Sequence, residues 1–195
     1  MANLNTFFQL SNLPGPISTV ETAIAAVNAI GGVTTTPSTI RALASVRQDA
    51  AGGFFDGHPF KIRAIGKAIG TGAGNFTMNV YFNSGANTNL TTFTSDVLVV
   101  GSGAVAVASK PAVAVCEGLI MWDSSTQQVM GLKVETFNNI VPTATIPLAT
   151  PAVTAATLSA AGTTTNVSGL SFFVTFTSSA NISSTTLIEL ALEQV

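Results

Sequence analysis

Long stretches of this chain repeat their hydrophobicity at every second residue. Phe76, Met78, Val80 and Phe82 alternate with Thr77, Asn79 and Tyr81. Leu170, Phe172, Val174 and Phe176 alternate with Ser171, Thr175 and Thr177, and Phe173 is the exception. The same pattern runs through Phe60–Ile65, Met130–Glu135 and Ile188–Glu193. A period of two sends successive side chains to opposite faces of a strand, so these runs predict strands with one buried and one wetter face. Val97–Val100, Ala104–Ala108 and Ala112–Trp122 are more uniformly apolar, as strands covered on both faces are. The runs are separated by turn-forming clusters: Gly70-Thr71-Gly72-Ala73-Gly74, Asn83-Ser84-Gly85, Gly101-Ser102-Gly103 and Asp123-Ser124-Ser125. About eight strands joined mostly by short turns predict an all-β fold, an antiparallel β-sandwich. A jelly roll is the eight-strand version that hides most of its edges.

The first 50 residues read differently from residues 51–195, which form the sandwich domain in this reading. Pro14-Gly15-Pro16 is a rigid breaker. Ser18 and Glu21 then have the spacing of a capping box, and Val20, Ile24 and Val27 recur at helical intervals up to Gly31-Gly32. These signals predict a short helix over about residues 19–30 within an N-terminal arm. A lone short helix must pack on the main domain or on a neighbour. Residues 141–165 form a long loop rich in Pro, Thr and Ala, which could lie on a neighbour.

Side chains suited to catalysis are scarce. His58 is the only histidine, in the turn-like Asp56-Gly57-His58-Pro59, so a metal site built from several histidines of one chain is excluded. Cys116 is the only cysteine and lies in an apolar run, which predicts a buried, inert thiol and no intrachain disulfide. The nine acidic residues are dispersed and make no calcium loop. The glycine-rich 70–74 segment precedes a strand, so it lacks the helix N-terminus that a phosphate loop requires. No enzyme and no cofactor are expected. The N-terminus lacks the basic start of a signal peptide, and no uninterrupted apolar run is long enough for a membrane span. With one thiol and no leader, assembly in a reducing cytoplasm is expected.

Charged residues make up 8% of the chain and the net charge is −2. An average soluble domain carries about 25%. A surface of Ser, Thr, Asn, Gly and Ala suits a subunit packed against other subunits, and nothing in the balance favours nucleic acid. Five of the seven basic residues, Arg41, Arg47, Lys61, Arg63 and Lys67, lie in one short stretch. They read either as a solvated strand face or as a patch for an acidic partner.

His58-Pro59-Phe60-Lys61-Ile62-Arg63-Ala64-Ile65-Gly66-Lys67-Ala68, then Asn75-Phe76-Thr77-Met78-Asn79-Val80-Tyr81-Phe82, and later Glu117-Gly118-Leu119-Ile120-Met121-Trp122-Asp123, resemble virion proteins of tailed bacteriophages. The likeness spans roughly residues 58–138 and includes no catalytic motif. It implies a capsid cement (decoration) protein on the virion surface: a homotrimer bound to the major capsid protein, with an arm reaching across capsid subunits. It also leaves room for a neck, tail or fibre subunit. A lectin-like binding module is a further option for a sandwich. On the cement reading, the candidate contacts are Phe7, Phe8 and Leu10 in the arm, with Arg41, Arg47, Lys61 and Arg63 steering the approach.

Overall fold

A computed structural model describes residues 7–28, 32–40, 59–83, 89–94, 96–107, 111–123, 128–139, 156–157 and 171–195. Two antiparallel sheets pack face to face. The first holds β1 (Phe7–Gly15), β12 (Ile182–Gln194), β4 (Pro59–Gly70), β8 (Ala112–Asp123), β9 (Gln128–Asn139) and β10 (Ala156–Thr157), in that order. The second runs β3 (Gly32–Thr34), β2 (Thr22–Asn28), β11 (Ser171–Ser178), β5 (Gly74–Phe82) and β6 (Val97–Gly101), and β7 (Val105–Val107) also pairs with β5.

Consecutive strands change sheets together. β1 and β12 pair in the first sheet while their chain neighbours β2 and β11 pair in the second. β4 joins β12 in the first sheet while β5 joins β11 in the second. Three ribbons thus bend side by side from one sheet into the other, and β6 and β8 add a further strand to each. This is the wrapping of a jelly roll, and the expected all-β sandwich is the observed one.

Burial of the alternating residues drives the closure. Phe60, Ile62, Phe76, Met78, Phe82, Ile120, Phe172, Phe176, Leu187 and Leu190 are buried between the sheets. Phe76 meets Phe176 edge-on at 4.9 Å, an arrangement that suits the ring quadrupoles. Each such ring contributes about 1.5–3 kcal/mol by leaving water. Along β4 the inward residues shrink from Phe60 through Ile62 and Ala64 to Gly66, which gives the facing rings their space.

The helix expected over residues 19–30 is instead β2. Ala23 to Val27 are all buried. Ile24, Ala25 and Val27 belong to the main core, whereas Ala23 and Ala26 belong to a second cluster on the outer side of the sheet. A strand covered on both faces is apolar at every position, so its sequence carries no period of two to set against the helical spacing. The presumed capping residues do other work. Ser18 Oγ accepts from the Val20 amide, and Glu21 is held by side chains of β5 and β11. The segment read as an arm therefore places β1 in one sheet and β2 and β3 in the other. The one helical turn among the described residues is α1 (Pro37–Ile40).

The outer cluster also explains Phe173, which breaks the alternation. It stacks on Tyr81 at 5.3 Å and lies 5.6 Å from Phe93, beneath the segment that carries Leu90 and Phe93. The 70–74 segment is likewise no ordinary hairpin, because its two strands lie in different sheets.

Three of the four sheet edges carry features that discourage strand addition, and at the fourth β10 pairs with only Gln128 and Val129 of β9 among the described residues. β3 and β10 are three and two residues long. β1 is interrupted by Asn12, with φ at 57°, and by Pro14. β6 is bulged, since Val100 faces Val80 while the next paired residue, Leu98, faces Tyr81.

Candidate docking surfaces

The outer face of the first sheet gathers the charge. On β4, Lys61, Arg63, Ile65 and Lys67 alternate with buried residues. The register places Arg63 between Ala191 of β12 and Glu117 of β8, and Lys61 between Glu193 and Leu119. Arg63 Nε lies 3.1 Å from Glu117 Oε1, Arg63 Nη1 lies 3.7 Å from Glu189 Oε1, and Lys61 Nζ lies 3.4 Å from Glu117 Oε1. The two cations keep about 40% of their side-chain surface in water, so each pair contributes at most about 1 kcal/mol. The Arg63 Nε contact is close without being aligned as a hydrogen bond, and that buried nitrogen has no hydrogen-bond partner. A shallow pocket of about 270 Å³ opens here, lined by Gln9, Lys61, Arg63, Glu189, Ala191 and Glu193.

The sequence-derived candidates divide three ways. Lys61 and Arg63 share this face. Phe7, Phe8 and Leu10 lie on β1, in register with Glu193, Leu192 and Leu190 of β12. Arg41 and Arg47 lie outside the described residues. The acidic members Glu117, Glu189 and Glu193 were not singled out from sequence. Their wet-face positions were legible, but their meeting with β4 depends on strand order. Apart from Glu21 and Asp96, every charged side chain the structure describes lies on this one face.

The turn end is different in kind. Here the β1–β2, β4–β5 and β11–β12 connections are bonded to one another. The Ser178 amide donates to Ser18 O at 2.8 Å and the Thr71 amide to Asn181 O at 3.0 Å. Asn181 Nδ2 donates to Ala73 O at 2.6 Å, the Asn75 amide donates to Ser179 Oγ at 2.9 Å, and Thr185 Oγ1 donates to Pro16 O at 3.1 Å. Ile17, Val20 and Ile69 are exposed around this set, with Ile17 and Val20 more than half accessible.

The outer face of the second sheet is closed. Glu21 Oε1 accepts from Asn79 Nδ2 at 2.8 Å, from Tyr81 Oη at 3.1 Å and from Thr175 Oγ1. Burial, and then the Glu21 carboxylate, push the Tyr81 phenol well above its ordinary value. Burial likewise pushes the Cys116 thiol up to about 12. Neither group is poised as a nucleophile or base near neutral pH. Among the described residues no group of three or more His, Cys, Asp or Glu could hold a metal ion, and no helix is long and apolar enough to cross a membrane.

Neither family models, curated proteins nor solved structures gave a match to this chain.

Proposed function

We propose that this protein is a structural subunit of a virion, a cement protein that binds the outside of a phage capsid and stabilises the joints between its subunits. The observation that carries this reading is the segregation of charge. Nearly all described charged side chains share one sheet face, whereas the turn end carries only Glu21 among the described residues, is braced by hydrogen bonds and exposes Ile17, Val20 and Ile69. Uncharged polar and apolar surface costs little to bury against an unlike neighbour, whereas a charged face is buried only where opposite charges meet it. The jelly roll is an architecture of viral capsid and lectin domains, which agrees with the resemblance of residues 58–138 to phage virion proteins. A cement subunit adds buried area at each joint, at about 25 cal/mol per Å² of apolar surface before association costs, and symmetry multiplies the gain. The partner on this reading is the major capsid protein.

The test uses particles assembled with and without this chain. Particles lacking it should burst at lower temperature and under milder osmotic shock, and purified protein added back should restore resistance. Equal resistance of the two particles would sink the proposal.

A further inference from the structure

We infer that the charged face of the first sheet is a self-complementary interface, closed by a second copy of this chain around a two-fold axis. The inference rests on the charge pattern of the face and holds whether or not the protein sits on a shell.

The face carries its charge in columns. β4 supplies Lys61, Arg63 and Lys67, and the adjacent β12 supplies Glu189 and Glu193. Consider a two-fold axis lying in the interface, parallel to the strands and midway between β4 and β12. It turns one sheet face onto another and lays the basic column of each copy over the acidic column of the other. Lys61 and Glu193 are register partners, so they share a height along that axis. Lys61 then meets Glu193 of the second copy, and Glu193 meets its Lys61, which is the reciprocity an isologous contact requires. Arg63 falls opposite the small Ala191 of the second copy, which leaves room for its guanidinium. The pocket spreads from the β4 column across β12 to Gln9 of β1, so it adjoins the axis on its β12 side.

Three further observations favour this occupant. Glu193 and Lys67 have no ion-pair partner among the described residues, and the buried Arg63 Nε still lacks a hydrogen bond. The outer face of the second sheet is covered by Leu90, Phe93 and Ile40 around Tyr81 and Phe173, with Leu98 exposed at its β6 edge, whereas Ile65, Val113, Val115 and Leu119 across the middle of the first are only half-buried. The edges at β1, β3 and β6 discourage pairing by strand addition, which favours a face as the route to association there.

Sedimentation velocity of the purified full chain over a range of concentrations tests this. The expected result is a monomer–dimer equilibrium whose Kd weakens as salt rises from about 50 mM to about 500 mM. Glu193→Lys sets like charges opposite each other twice per dimer and should weaken Kd at least about tenfold. Glu193 is exposed and has no ion-pair partner among the described residues, and an unchanged thermal melt checks that this variant folds. Adding Lys61→Glu recreates the contact with its sign reversed and should restore most of the affinity. A monomer at about 100 μM, well above typical specific Kd values, overturns the inference. So does an oligomer that neither substitution affects, or a double variant no tighter than Glu193→Lys alone.

Discussion

Adding one methyl group at Gly66 tests whether the core is packed as tightly as its geometry implies. Gly66 is buried on β4, opposite Leu187 of β12 and Ala114 of β8. A Cβ placed there would lie 2.8 Å from Met78 Sδ, 3.0 Å from Phe76 Cζ and 3.3 Å from Phe176 Cε1. Two effects oppose each other. Replacing glycine restricts the unfolded chain and stabilises by about 0.4–1 kcal/mol where the native backbone tolerates alanine. Overpacking a filled core costs about 1–3 kcal/mol, because rings that are already buried must move. The contacts fall below ordinary van der Waals distance on two sides, so the second effect wins, and Gly66→Ala should lose about 1–2 kcal/mol. With a urea slope of about 1–3 kcal/mol per molar, the unfolding midpoint should fall by roughly 0.5–1 M at unchanged slope. Met78→Val removes the nearest atom, so combining it with Gly66→Ala should cost less than the sum of the two single changes. A Gly66→Ala midpoint equal to or above the parent's, or strictly additive losses, would refute the packing argument.

Three other outcomes follow from the same geometry. Tyr81 is the only tyrosine, so its phenolate absorbance titrates alone. Its folded value is raised, so the folded chain keeps the proton that the unfolded chain releases near pH 10. Its contribution is therefore intact below about pH 10 and drains away as pH rises beyond it; phenolate appearing in the native protein near pH 10 would contradict this. Cys116, held at about 12, should resist a thiol-exchange reagent at pH 8 in the folded chain and react promptly in denaturant; fast native reaction would contradict its burial. Glu117→Gln removes the shared acceptor of Lys61 and Arg63, yet it should cost no more than about 2 kcal/mol in thermal or urea unfolding, at most about 1 for each of the two well-exposed cations. A loss of several kcal/mol would mean the network is far less solvated than its exposure indicates.

The strands of the sandwich were legible where polar residues alternate with apolar ones, on wetter faces in β4, β5 and β12 and through the buried Thr175 in β11. β4, β5, β11 and β12 all follow the alternation in Phe60–Ile65, Phe76–Phe82, Leu170–Phe176 and Ile188–Glu193. What failed was β2, where a second apolar layer erased the period and left a spacing that imitates a helix. Phe173 held the clue to that layer. A large ring on the supposed wet face of a strand signals a cover on that face. Lys61 and Arg63 were legible as outward residues, whereas their acidic neighbours were not. Glu117 and Glu189 are more than 50 positions downstream and reach β4 only through strand order, which no local pattern encodes.

The crossover turns at one end have a dynamic consequence. At that end the two sheets are joined by the backbone three times over, and the turns are tied across one another by amide and side-chain hydrogen bonds. Separating the sheets there means stretching three short connections that are bonded to one another. Local opening should therefore start far from the turns and run out before it reaches them. Amide exchange would show this in the buried strand amides that border the turns, slow at Ala68, Phe76, Phe176 and Ile182. A load applied at this tip therefore spreads into both sheets at once.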